Sequence, residues 1–215
     1  MLPIELAGEH FLPLPERALW WPRKQALLVA DLHLGKDASL SASGVEIPEG
    51  SDTATLARLS ALCEQWRPER LLMLGDLLHD HAARRAGVTE APFPGPADRV
   101  LIMGNHDRKA GSLPSYWGIA ACEEPHCLEG IDLFHIPPAA SKKRNRPFIA
   151  GHIHPAVRVH GPGRQTLRLP AFVASTQRIL LPAFGELTGC AEVRPGRGDR
   201  VILCTNTGLH ELRAF

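Results

Sequence analysis

The sequence predicts an α/β sandwich with mixed β-sheets flanked by helices. Three observations predict it. Short apolar runs recur along the chain and several end in Asp, His or Asn. Only one segment has clear helical spacing. The second half of the chain reads as strand after strand with few helical stretches between.

The elements follow in order. LLVAD at 27–31 reads as a buried strand ending in a carboxylate. Residues 51–66, SDTATLARLSALCEQW, place Leu56, Leu59, Leu62, Cys63 and Trp66 at helical intervals, with Ser51 or Asp52 as the N-cap. RLLMLGD at 70–76, VLIMGNHD at 100–107, IDLFH at 131–135 and PFIAGHIH at 147–154 read as four further strands. FVAST, RILLPAF, AEVRP and RVILCT continue the series. PFPGP at 92–96 and KKRNR at 142–146 read as surface loops. Trp20, Trp21 and Trp66 are assigned to core packing by default, while Tyr116 and Trp117, after a G-S-L-P turn, read as exposed aromatics.

The chain has 215 residues, the length of one domain, 1–215. Its apolar fraction of 44% and charged fraction of 22% are globular values and exclude a disordered tail or a coiled coil. Lys and Arg total 24 against 23 Asp and Glu, a net charge of +1, so any nucleic-acid contact depends on local patches. Five cysteines without a C-x-x-C motif point to reduced thiols rather than a disulfide framework, and to the cytoplasm. Neither a signal peptide nor an apolar run of membrane-spanning length is visible, so no membrane association is expected.

Eleven histidines are the compositional outlier. Asp31 and His33 follow LLVA. Asp76 follows LLMLG, Asn105, His106 and Asp107 follow VLIMG, His135 follows IDLF, and His152 and His154 follow FIAG. Ligands of open α/β sheets bind outside the carboxyl ends of strands, so these runs describe one convergent site. His135 is preferred to His126 as the lone histidine because it ends an apolar run. Two Asp, one Asn and four His suit two metal ions sharing a carboxylate, and mixed N/O ligation fits Mn, Fe, Zn, Co or Ni.

The motifs D-x-H (Asp31, His33), G-D (Gly75, Asp76), G-N-H-D (Gly104 to Asp107), a lone His135 and G-H-x-H (Gly151 to His154), in that order, resemble the calcineurin-like metallophosphoesterase superfamily. DLHLGK at 31–36, GDLLH at 75–79, GHIHP at 151–155 and LPAFGELTG at 181–189 further resemble the bacterial DNA-ligase-associated metallophosphoesterases, described as DNA damage response endonucleases. The resemblance implies that Asp31, His33, Asp76 and His154 hold one metal. Asp76, Asn105, His135 and His152 hold the other, with Asp76 bridging and manganese as the implied metal. It implies in-line attack on phosphorus by a metal-activated hydroxide. His106 would act as general acid, oriented by Asp107, with His79 as an outer support.

Lys36, Arg108, Lys142, Lys143, Arg144 and Arg146 are expected near the site, where cations could grip DNA phosphates. The expected substrate is single-stranded DNA, with a DNA ligase or helicase as a repair partner. Two alternatives stay open: a phosphodiesterase for a small molecule such as a cyclic nucleotide, and an inactive scaffold. Between Asp76 and Asn105 there is no room for a sizeable cap domain, which suits a polymer.

Overall fold

The computed structural model describes residues 2–47, 50–81, 83, 92–139 and 145–212. The chain opens with three short strands that sequence reading did not anticipate: β1 (Ile4–Leu6), β2 (Glu9–Pro13) and β3 (Leu19–Trp21). Each pairs antiparallel with the next, and β3 pairs antiparallel with β4 (Ala26–Val29). From β4 the sheet turns parallel through β5 (Arg70–Met73), β6 (Asp98–Ile102) and β7 (Ile119–Cys122). These seven strands lie in chain order.

β4, most of β5 and the carboxyl end of β6 are apolar on both faces because both faces are covered there, whereas β7 is partly exposed. Along β4, Ala26 and Leu28 point into a core shared with the second sheet, while Leu27 and Val29 point the other way. On that other side lies α2 (Ser51–Trp66), which buries Leu59 and Leu62 against Leu71 and Met73 of β5. The helix spans 51–66 as expected, but neither Ser51 nor Asp52 is its N-cap. Gly50 is the N-cap, at φ 97°, and no side chain caps it. Ser51 and Asp52 instead tie the helix to the preceding segment: the Ser51 hydroxyl donates to Asp37, and Asp52 accepts the Gly35 N–H at 2.8 Å. Two short helices, α1 (Lys36–Ala42) and α3 (Asn105–Ala110), follow β4 and β6.

The second sheet comprises β8 (His126–Leu128), β9 (Ile131–Phe134), β10 (Phe148–Ala150), β11 (Pro155–His160), β12 (Thr166–Ala174), β13 (Arg178–Leu180), β14 (Ala191–Glu192), β15 (Arg200–Thr205) and β16 (Gly208–Leu212). The parallel trio β9, β10 and β13 is flanked by antiparallel neighbours. Ile131, Leu133, Ile149, Phe172, Ile179 and Ile202 face the first sheet and complete the shared core. Phe134, Phe148, Ala150 and Leu180 alternate to the opposite face, on which no α-helix packs among the described residues.

Two loop readings are corrected. Trp117 is buried at 1% exposure, stacked on Phe93 with ring centroids 5.0 Å apart, and only Tyr116 is exposed. Phe93 therefore draws part of the PFPGP stretch into the helix-side core. Of 142–146, only Asn145 and Arg146 lie within the described residues.

Leu59 joins helix and sheet with no exposed surface. Leu59→Ala should lower the unfolding free energy by about 2–5 kcal/mol in urea titration. A loss under about 1 kcal/mol would mean that α2 does not anchor this face.

Candidate metal centre

The strand ends of both sheets converge on one place. Asp31 and His33 follow β4, Asp76 follows β5, Asn105 opens α3 after β6, His135 follows β9, and His152 and His154 follow β10. The backbone there is bent in an unusual way. Asp31, His33, Asp76, His152 and His154 all sit at positive φ, between 49° and 68°. Non-glycine residues adopt this region at a cost of order 1–3 kcal/mol each, and such residues gather at functional sites. Neighbouring peptide groups hold them: the Asp31 N–H donates to the Gly75 carbonyl at 3.1 Å and the His33 N–H to the Asp76 carbonyl at 2.9 Å.

The motif glycines leave room for the donors. A Cβ at Gly104 would lie 2.2 Å from Asp76 Oδ1, and one at Gly75 would lie 2.2 Å from the His135 ring. A Cβ at Gly151 would meet Asp31 Oδ2 at 2.7 Å.

Two groups of donors result. Asp31, His33 and His154 offer ligand atoms within 4.8 Å of one another, as do Asp76, His135 and His152. Asn105 Oδ1 lies 3.1 Å from His135 Nε2. Asp76 reaches both groups, with Oδ1 3.3 Å from His135 Nε2 and Oδ2 3.7 Å from His33 Nε2. The geometry thus assembles all seven side chains singled out by motif.

The ring nitrogens are sorted by their outer contacts. His135 Nδ1 donates to the Leu74 carbonyl at 3.0 Å and His154 Nδ1 to the Gly189 carbonyl at 3.0 Å, so each presents Nε2 inward. His33 Nδ1 faces His79 Nδ1 at 3.1 Å, which also turns its Nε2 inward. His152 Nδ1 approaches His135 Nε2 at 3.1 Å, so Nδ1 is its inward atom. Glu124, which carried no sequence signal, accepts the N–H groups of His135 and Ile136 at 2.8 and 2.9 Å and fixes that ligand's backbone.

Charge and burial oppose each other here. Burial pushes the His33 imidazole down to about 2 despite the attraction of Asp76, which leaves the ring neutral and fit to ligate. Burial would raise the Asp76 carboxyl, but the hydrogen bond and charge of His135 and the His106 N–H hold it at about 2. Burial disfavours a charged His135, yet its hydrogen bond to Asp76 and the charges of Asp31 and Asp76 raise it to about 9. Two buried carboxylates thus draw positive charge into the centre. Asp31 Oδ1 is buried without a hydrogen-bond partner. A divalent cation suits both features, and the donors contain no thiolate, so the residues fit a pair of oxygen- and nitrogen-ligated metals.

His106 and His79 stand beside this set. Their rings stack at 4.7 Å, and His33, His79 and His106 form a third group of close ligand atoms. The His106 N–H donates to Asp76 Oδ1 at 2.9 Å, and its Nδ1 meets the His79 carbonyl at 2.6 Å. The His79 carbonyl therefore orients the His106 ring. Asp107, expected to do so, instead accepts the N–H groups of Leu78 at 3.1 Å and Gly104 at 2.9 Å, which binds the two motif loops together. Burial, followed by the charges of His106 and Lys36, lowers the His79 ring. Lys36 opens α1, and its N–H donates to the His33 carbonyl at 3.2 Å, which stands it beside the centre.

The other cations are placed differently. Arg108 is paired with both carboxylate oxygens of the exposed Glu123. Arg146 donates to Cys127 Sγ at 3.1 Å and Asp132 at 3.3 Å. Lys142, Lys143 and Arg144 lie outside the described residues. His126 sits in β8 against Cys122 Sγ at 3.6 Å and takes no part in the centre.

The family model for calcineurin-like phosphoesterases matches residues 25–206. Among solved structures, the chain is similar to the Pseudomonas putida nuclease MPE, with a TM-score of 0.77 and 39% sequence identity over 94% of this chain and 96% of that one. No curated protein matches the chain. The matched span contains every strand end that bears a donor, and the chain belongs to the calcineurin-like phosphoesterase family as a metal-dependent phosphoester hydrolase.

Proposed function

We propose that this protein is a dinuclear-metal phosphodiesterase that cuts single-stranded DNA internally, in DNA repair in the cytoplasm, with manganese as its metal pair. The observation that carries the reading is the 39% identity to a nuclease across nearly the full length of both chains. An extended polymer also fits a centre at the open edge of two sheets, where His152 is exposed. A DNA ligase or helicase is the repair partner that the ligase-associated motifs suggest.

Asp31, His33 and His154 would hold one cation, Asn105, His135 and His152 the other, and Asp76 both. The bound pair would acidify a water to a nucleophile near neutral pH and neutralise phosphate oxygens. The remaining work falls to the chain. Carbonyls behind His135 and His154 keep their Nε2 atoms aimed inward. His106, with Nδ1 held by the His79 carbonyl, keeps Nε2 for delivering a proton to the leaving oxygen. Lys36 adds positive charge where the substrate's anion arrives.

Metal should stabilise the fold, because it binds the assembled donors and not the unfolded chain. At a hundredfold excess over Kd, manganese should add about 2.7 kcal/mol. Differential scanning fluorimetry of chelator-treated protein should show a rise in Tm with manganese that Asp76→Ala abolishes. Asp76→Ala should also leave circular single-stranded DNA intact, and an equal Tm response in the two proteins would refute the bridging role.

His106→Ala should keep the metal-induced Tm rise but slow DNA cutting about 10²–10⁴-fold. A p-nitrophenyl diester, whose leaving group needs no proton, should lose much less. Equal losses on both substrates would remove His106 from the acid role.

Gly104→Ala should displace Asp76 by steric contact and weaken manganese binding about 10–100-fold by titration calorimetry, the scale of disturbed metal support. Unchanged affinity would show that the loop yields at no cost to the site.

A further inference from the structure

The face of the second sheet turned away from the first carries a cleft of about 680 Å³. That volume is within the range of about 300–1,000 Å³ common to ligand sites. The cleft neighbours the metal centre along the chain: Pro137 follows His135 closely, and Ile153 lies between His152 and His154. Phe148 of β10 supplies an apolar floor. Around it stand Arg146, Arg178 and Arg197, with Asp199 as the one lining carboxylate among the described residues.

That carboxylate is already engaged. Asp199 accepts the Gly196 N–H at 2.7 Å and an Arg178 N–H at 2.9 Å. Arg178 keeps a buried Nε–H without a hydrogen-bond partner, and Arg197 is exposed. An apolar floor with a cationic rim is complementary to one chemistry above others: a flat heterocycle carried on a phosphodiester backbone.

We propose that this cleft is a strand-binding subsite. It receives a nucleotide next to the scissile phosphate, its base against Phe148 and Ile153 and a flanking phosphate on Arg178 and Arg197. The inference rests on the nuclease reading and adds where the uncut part of the strand lies.

The test compares the full-length protein with Arg197→Ala and Arg197→Glu, both at an exposed position that folding does not require. Arg168→Glu, an exposed substitution on β12 outside the cleft, controls for bulk charge. Manganese-dependent nicking of circular single-stranded DNA and turnover of bis(p-nitrophenyl) phosphate are measured side by side. Arg197→Ala should raise KM for the circle roughly tenfold, the loss of one charge-assisted phosphate contact. The salt slope of DNA binding should fall by about 0.7. The small diester should be turned over at the wild-type rate, and Arg168→Glu should cut the circle normally. Wild-type KM in both Arg197 variants, or an equal effect of Arg168→Glu, overturns the subsite while leaving the nuclease reading intact. Wild-type protein that hydrolyses the small diester but leaves the circle whole overturns the nuclease reading, and the subsite with it.

Discussion

Asp31 and Asp76 are both nearly inaccessible, at 0% and 2% exposure, and both face the same imidazole of His135. A carboxylate in such surroundings costs several kcal/mol unless donors or positive charge compensate it. The architecture supplies both. Asp31 Oδ2 accepts the His152 N–H at 2.8 Å and Asp76 Oδ1 the His106 N–H at 2.9 Å, so each acid is secured by the backbone of a loop that also bears a site residue. Imidazoles from three different strand ends close around the remaining oxygens. The acids thus organise the loops, and the loops bring the bases. Asp31 Oδ1 has His154 Nε2 at 3.3 Å and His135 Nδ1 at 3.8 Å but no hydrogen bond of good geometry, which leaves it the least compensated of the four oxygens.

Holding so many donors in so little space strains the backbone. Five of the ligand-bearing positions lie in the left-handed region, and three motif glycines stand where any Cβ would strike Asp31, Asp76 or His135. The strain is sustained because the strands behind it are rigid. β4, β5 and β6 are buried on both faces, so their carboxyl ends cannot drift to relax the loops. The apolar sandwich and the polar centre are therefore one construction, in which the core's packing holds the ligands' unfavourable conformation.

How much of this was legible in the sequence follows from the range of the interactions. β4, β5, β9 and β10 announced themselves as apolar runs ending in donors, and the helix over 51–66 as a 3.6-residue pattern, because both signals are local. The antiparallel start of the first sheet went unread. β1 and β3 are only three residues long and show no alternation long enough to register. Contacts between distant loops were equally silent. Nothing near Trp117 says that Phe93 will fold over it, and nothing near Arg108 says that Glu123 will clamp it. Asp107 stood beside His106 in sequence, yet α3 turns the two side chains apart, and a carbonyl from another loop takes over the ring. The motif residues do meet in space, but adjacency within a motif does not say which group holds which side chain.

The most economical part of the arrangement is His79. Its ring meets the Nδ1 of His33 at 3.1 Å, and its carbonyl holds the Nδ1 of His106 at 2.6 Å. One residue thus aligns a donor proposed for one cation and the acid proposed for the leaving group. Its own N–H donates to the Leu34 carbonyl at 2.9 Å, which fastens it to the loop carrying His33. A shift of that loop would therefore move the nucleophile's side and the leaving group's side of the reaction together and keep their spacing. For in-line displacement at phosphorus, where the entering and departing oxygens must stay opposed, a shared support of this kind preserves the one geometric relation the chemistry depends on.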